Sequence, residues 1–523
     1  MGEWVQHGVG LAAMSEAPRQ GSLLARTAKA TGWMIVWRLV TRVLGLGSTL
    51  VLVRLLLPSD FGLVALGTSF AQAIDALSII GVDDALIREK QPDRAIYNTA
   101  FTMNAIRNVF TALLIAATAV PVGAFFNEPR LAHILLALAL ATAVEAFENV
   151  GIIDFRRDLT FDKEFKLRLV PRLAAILTTI TLAVLLRTYW ALVAGILVGR
   201  ILRVGMSYVM HPYRPGFTLI AWRRIIGFSL WTWVISLGVL VRDRAGSFII
   251  GRLLNTTQVG FYSVAGEIAT LPGSELLQPL NRALFSAFAV AKHSGESIAE
   301  TYLRVTGTAM LLMTPASVGI GLVAEPIVRL AFGPSWMEVA PLIQVIVIGS
   351  IIGVPGALSC TLFSSHGILA PMFRIQMASL LIGVPLFAIL LPRFGLLSAM
   401  ILSMPVGIAE QAVYVWRTMQ RYDVRAHEMV AQTWRPVLAS IVMAAIVIAS
   451  GLNHATADSV PSRLAAPLVG AVALGVVSYS ATLLGLWLAA GRPRGAETDM
   501  LGVLQRVYAP LGSMLRASRA LIG

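Results

Sequence analysis

Charge is scarce in this chain. Only 13% of its 523 residues are Asp, Glu, Lys or Arg, against 57% hydrophobic, and the mean hydropathy is +0.75. A water-soluble protein needs roughly twice that share of charge to cover its surface. Cysteine is scarcer still. Cys360 stands alone, which excludes an intrachain disulfide, and no Cys/His cluster has zinc spacing. No resident metal or cofactor is expected, and the plain reading of Cys360 is a small buried side chain. No P-loop or other nucleotide signature occurs, which speaks against ATP-driven work by this chain alone. Long polar stretches are missing too. The breaks between apolar runs are under about 20 residues, too short for a folded soluble domain. Residues 1–30 are not expected to form a cleaved signal peptide: Arg19, Arg26 and Lys29 precede an apolar run too long for an h-region. Residues 1–13 look dispensable, with Met14 an alternative start.

What the chain does have is apolar runs of bilayer-spanning length along almost its whole course. One crossing takes roughly 20 apolar residues, and such runs are helices because lipid offers the backbone no hydrogen-bond partner. The spans are expected at 33–57, 61–81, 98–126, 130–153, 167–187, 189–210, 224–254, 258–288, 302–332, 337–363, 371–391, 395–418, 433–452 and 463–490. Basic residues alternate between the connections. With the N-terminus inside, about 27 fall on the cytoplasmic side and about 7 opposite, the bias of the positive-inside rule. Both termini are therefore placed in the cytoplasm. The net charge of +14 reports this topology rather than a nucleic-acid partner. Two segments read as surface helices: 154–166, where Phe155, Leu159, Phe161 and Phe165 alternate with charges, and the basic tail after Met500, with a disordered tail as the alternative.

Two stretches echo each other. Arg54-Leu55-Leu56 is followed by Gly62 beside Phe61, and Arg252-Leu253-Leu254 by Gly260 beside Phe261, eight positions after the arginine in each case. Further on, Phe125-Phe126-Asn127-Glu128-Pro129 is answered by Phe332-Gly333-Pro334. The register implies two six-span halves, and an even number makes them parallel copies with a substrate site between them. The expected organisation is an N-terminal segment 1–32, six-helix halves 33–222 and 223–430, two further spans within 431–490, and a basic tail 491–523.

This 6+6+2 pattern, with Leu55-Leu56-Leu57-Pro58-Ser59-Asp60-Phe61-Gly62 closing the first span, resembles Wzx-type polysaccharide flippases of the multidrug/oligosaccharidyl-lipid/polysaccharide exporter superfamily. Matching pieces are Asn98-Thr99-Ala100-Phe101, the run Phe155 to Phe161, Arg242-Asp243, and Val259 to Ala265; the likeness covers about residues 30–420. The resemblance implies an all-α integral membrane protein of about fourteen helices. It implies a function as well: moving undecaprenyl-diphosphate-linked oligosaccharide across the bacterial inner membrane, for exopolysaccharide or O-antigen, by alternating access coupled to an ion gradient. The implied partners are the lipid-linked oligosaccharide, membrane lipids, and a polysaccharide polymerase with its export machinery.

Charges inside the spans mark a function or a water-filled cavity. Span 1 has Arg38 and Arg42 on one face. Arg38 lies about 7 Å in and is within reach of snorkelling; Arg42, about 13 Å in, is less so. Span 7 has Arg242, Asp243 and Arg244, which face three directions, with a local ion pair as the alternative. Span 3 adds Arg107 near Asn104 and Asn108, and span 8 has a stripe of Glu267, Glu275, Gln278 and Arg282 interrupted by Pro272-Gly273 and Pro279. The substrate-binding candidates are Arg38, Arg42, Arg107, Arg242, Arg244 and Arg282, because the guanidinium fork suits phosphate. Arg42 and Arg242 are expected to face each other across the cavity. Asp75, Asp243, Glu267 and Glu275 are the candidates for ion coupling or charge pairing. A membrane glycan polymerase, as an enzyme, would need a large external loop or catalytic domain that the chain lacks. A multidrug antiporter would want an acidic or aromatic cavity. A peptidoglycan-precursor flippase shares the fourteen spans and is not separated by sequence.

Overall fold

The computed structural model describes residues 40–77, 93–158, 160–225, 230–278, 297–452, 461–493 and 495–502, with the isolated residues 82, 86, 280, 281, 284 and 288. Arg38, Arg282 and the tail beyond 502 lie outside the described residues. Among the described residues every regular element is helical. The long ones are α1 (residues 40–55), α2 (Pro58–Leu77), α3 (Arg94–Phe125), α4 (Pro129–Glu145), α5 (Phe161–Leu186), α6 (Trp190–Met210), α7 (Leu230–Leu253), α8 (Thr256–Ala269), α9 (Ile298–Leu322), α10 (Val339–Ser365), α11 (Leu369–Tyr422), α12 (Ala426–Ala449) and α13 (Pro461–Ala489). Eight described helices are by themselves long and apolar enough to cross a membrane; the tally of about fourteen rests on the sequence.

Local chemistry sets the helix ends. Asp93, Asn255 and Ser297 cap α3, α8 and α9, their side-chain oxygens accepting from Ile96, Gln258 and Glu300 backbone N–H groups. Pro58 and Pro129 open α2 and α4, where a missing N–H costs nothing. α11 covers two expected spans and breaks at Gly395, whose φ of 76° lies in the left-handed region where only glycine is unstrained. In span 8 the helix passes into a π-turn at Gly273–Leu277 directly after Pro272, which lacks the N–H that would continue the α ladder.

The expected surface helix at 154–166 is not what forms. α4 ends at Glu145, and the chain turns by 78° into the short segment Val150–Arg157. Asn149 fixes the turn: its side chain accepts from Gly151 N–H and donates to the Tyr213 carbonyl, and its own N–H donates to Ser207. Phe155 is buried, and Phe161 already opens α5. The alternating charges that suggested a lipid surface find protein partners instead: Arg157 with Asp154, and Arg156 and Arg168 with Glu164.

The residues that echo each other in sequence meet in space. α2 packs on α8, and a methyl group on Gly62 would stand 2.7 Å from the Gly260 nitrogen, one on Gly260 3.2 Å from the Gly62 nitrogen. Each glycine also lies on a carbonyl of the other helix, Gly62 on Thr256 and Gly260 on Pro58, which are themselves equivalent positions four residues earlier. Arg54 donates to the Leu330 and Ala331 carbonyls, while Arg252 stacks over the Phe125 ring. Fully buried Trp336 lies against Phe61, Phe261 and Phe332 and donates to the Val53 carbonyl. The halves therefore share one apolar core at this end. At the opposite end of α9, Arg304 pairs with Asp499. The buried pair Arg435–Glu497 fixes the segment around residue 497 to α12.

Candidate functional site

The candidate residues fall into three groups. The first lies between the halves. Arg42 on α1 approaches Glu275 at 3.4 Å between Nε and Oε1, yet its buried Nε has no hydrogen-bond acceptor. Glu275 also accepts from the Ser274 hydroxyl at 3.2 Å. Arg172 on α5 reaches the same place, its guanidinium 3.0 Å from where a Gly45 side chain would begin. Glu267 on α8 lies in the electrostatic field of both Arg42 and Arg172. From the other side, Arg244 on α7 donates to Ser69 and Gln72 on α2. Each half thus presents cations to polar groups of the other.

The second group lines a cavity of about 450 Å³ inside the first half. α2 contributes Asp75, α3 contributes Asn104, Arg107 and Asn108, and Glu145, Glu148, Glu164, Arg168 and Arg203 complete the wall. Most of these charges are paired: Glu145 with Arg200, Glu148 with Arg203 at 2.7 Å, and Glu164 with Arg156 at 2.8 Å and Arg168 at 2.6 Å. The third group lies inside the second half, in a cavity of about 640 Å³. Its walls are largely apolar, with Ser350, Ser403, Gln411 and Tyr414 among them. Arg242 enters this cavity and donates to Glu410 at 2.7 Å. Arg42 and Arg242 are therefore engaged by different acids on different helices. Asp243 is exposed on α7 with Tyr262 nearby.

The connector between the halves, residues 211–221, is tied along α3. Asn98 accepts from the Tyr213 hydroxyl and the Gly216 N–H, Thr102 accepts from Thr218 N–H, and Thr99 accepts from Ala221 N–H. His211 anchors its start: Nδ1 accepts from Tyr213 N–H, and Nε2 lies 3.3 Å from Asp154. Burial holds the His211 imidazole below its usual pKa, against the pull of Asp154, and pushes the Tyr213 phenol up to about 12. The motif at 98–101 thus has a structural task, which is to hold this strap, and Phe155 packs edge-on against the His211 ring.

Sequence reasoning passed over Arg172, Glu410, Gln72 and Arg200. A signal existed for Glu410, the one carboxylate within residues 395–418. Arg172 sits near the start of its expected span, about 8 Å in at 1.5 Å per residue, a depth within reach of snorkelling.

Comparison with known proteins matches residues 51–341, more than half of the chain, to the family described as polysaccharide biosynthesis protein. The chain is 22% identical to the succinoglycan biosynthesis transport protein ExoT of Rhizobium meliloti, over 87% of this chain and 92% of that protein. It is 23% identical to the lipopolysaccharide biosynthesis protein WzxC of Escherichia coli, over 62% and 67%. Among solved structures, the lipid II flippase MurJ in an inward closed conformation superposes with a TM-score of 0.70 at 11% identity, covering 87% of this chain and 99% of that one. An inward-facing MATE family multidrug resistance transporter of the MOP superfamily gives 0.53 at 16% identity, covering 73% and 94%. These two likenesses establish the fold.

Proposed function

The chain belongs to the polysaccharide biosynthesis protein family, and from that premise we propose that it is a flippase for lipid-linked oligosaccharide, a multi-pass membrane protein that carries glycan repeat units across the bilayer. The relatives named for succinoglycan transport and for lipopolysaccharide and amylovoran biosynthesis support this reading. At a finer level, the carrier is undecaprenyl diphosphate, the membrane is the bacterial inner membrane with both termini in the cytoplasm, and the units feed a polymerase and its export machinery.

The observation that carries the mechanism is Arg42. An arginine between two halves, with a buried N–H that lacks an acceptor and a carboxylate waiting at 3.4 Å, is built to exchange partners. A diphosphate arriving between the halves satisfies Arg42 and Arg172 through bidentate bonds and releases Glu275. Glu275, or Glu267 beside it, is then available to take a proton or cation, which couples translocation to an ion gradient. Binding shifts the equilibrium between inward and outward states only by its difference in affinity for the two, and the Arg42–Glu275 exchange supplies such a difference. The contact built around Gly62 and Gly260 seals one end while the other admits substrate.

The test is deletion of the gene. Lipid-linked repeat units accumulate in the inner leaflet and surface glycan disappears; complementation with Arg42→Ala, inserted at normal level, fails to restore it. Drug sensitivity with normal glycan would point instead to an antiporter, and loss of glycan without accumulation to an enzyme.

A further inference from the structure

In the charged cavity of the first half, Arg203, Arg156 and Arg168 each hold a glutamate. Arg107 differs. Its Nη2 donates to the Asn108 side chain at 3.1 Å, and its Nε is buried without an acceptor. Among the described residues no carboxylate pairs with it. Buried polar groups in folded proteins are satisfied in more than nine cases of ten, so an orphaned guanidinium N–H facing a cavity calls for a ligand. Arg107 lies about 13 Å into its expected span at 1.5 Å per residue, as deep as Arg42 in its own and less within reach of snorkelling.

We propose that this cavity is an oxyanion site of its own, separate from the arginines between the halves, and that Arg107 reads a carboxylate or phosphate carried by the glycan of the substrate. The proposal rests on the flippase reading and adds the part of the substrate that is recognised. The guanidinium fork fits a planar or tetrahedral oxyanion through two parallel N–H bonds. The rest of the wall suits a polyhydroxylated body. Asn108 offers an amide, Asp75 and Asn104 add polar groups to the wall, and Glu145 and Glu148, each already held by an arginine, keep lone pairs for sugar hydroxyls. The volume, about 450 Å³, falls in the range of small-molecule sites. Among the described residues the apolar wall is Val82, Val150, Ile152, Ile153 and Leu167, little for acyl chains, so a sugar acid is favoured over a phospholipid headgroup. Among the described residues the cavity of the second half offers no equivalent, because Arg242 there already donates to Glu410.

The test uses the purified full chain in detergent, in an Arg42→Gln/Arg172→Gln background that removes both arginines assigned to anion binding between the halves. Methyl glucuronide, inorganic phosphate, neutral methyl glucoside and phosphatidylglycerol are titrated separately, with the rise in thermal midpoint as readout. At least one of the two soluble oxyanions binds saturably and the glucoside does not. Adding Arg107→Gln weakens that binding at least tenfold, and Arg107→Lys, which keeps the charge but loses the fork, by less. Undiminished binding in the Arg107→Gln protein overturns the proposal. So does the absence of binding by both oxyanions, and so does Arg107-dependent binding of phosphatidylglycerol alone, which makes the cavity a lipid site. Failure of the flippase reading appears elsewhere, as a deletion strain that accumulates no lipid-linked units, and leaves these titrations unaffected.

Discussion

The two halves are alike where they touch and unlike where they are hollow. At the shared end, Gly62 and Gly260 lie on each other's helices, and Arg54 and Arg252 each cross to the far half. In the interiors, the first half carries a cavity ringed by ion pairs, and the second a larger, mostly apolar one that Arg242 enters while paired with Glu410. A contact between matching glycines constrains both partners equally, since a change in one is felt by the other's backbone. A cavity away from that contact carries no such constraint and can take on its own chemistry.

The largest effect is expected where the halves are alike. Gly62→Ala and Gly260→Ala each drive a methyl into the opposing backbone, which cannot move aside as a side chain can. Overpacking of that kind costs about 1–3 kcal/mol or more. Both variants should lower surface glycan at least tenfold, and to the same extent, when scored against membrane protein level. One neutral glycine would show that the contact is not reciprocal.

A smaller difference should separate the cavities. The Glu410 side chain is only 3% exposed, so Arg242→Ala leaves a buried carboxylate unsatisfied and should cost about 1–3 kcal/mol. Glu148→Gln in the first half breaks a pair exposed at 45% and 20%, which should cost about 0–1 kcal/mol. Thermal denaturation in detergent ranks the two, and equal losses would remove the distinction between a solvated and a dry interior.

The smallest effect concerns how each half ends. The first finishes in the strap 211–221, held through a neutral His211; the second finishes in a short turn closed by Arg425 and Glu428. Because the imidazole is held below its ordinary 6.5, the unfolded chain takes up a proton that the folded strap refuses. Stability is complete above pH 6.5 and declines as pH falls through that value toward the folded pKa. Chymotrypsin cleavage after the exposed Phe217 should therefore quicken between pH 7.5 and 5.5, after correction for the protease's own profile, and His211→Gln should flatten that dependence. A pH dependence unchanged in that variant would remove His211 as the anchor.

Much of the fold was legible because membrane helices follow from one-dimensional patterns. The Leu57-Pro58-Ser59-Asp60 turn and the Asn255 cap stand where the apolar runs break. The site was less legible. Arg42, Arg107 and Arg242 look equivalent as charges in apolar runs, yet one lies between the halves, one inside the first and one inside the second. Their partners Glu275, Asn108 and Glu410 differ in whether they leave an N–H vacant, and for Arg242 and Glu410 the separation along the chain is 168 residues. The run 154–166 misled for a related reason. Alternating aromatics and charges look the same whether their counterpart is a lipid headgroup or a glutamate across a turn.

The sequence by itself determined that this is a multi-helix membrane protein with paired signatures, because the bilayer acts on every residue through local hydropathy and the backbone's need for hydrogen bonds. Only the tertiary structure decided which cations are satisfied and which remain open. That depends on whether a carboxylate from a distant helix arrives within about 3 Å with usable geometry, a property of packing that no single stretch of chain contains.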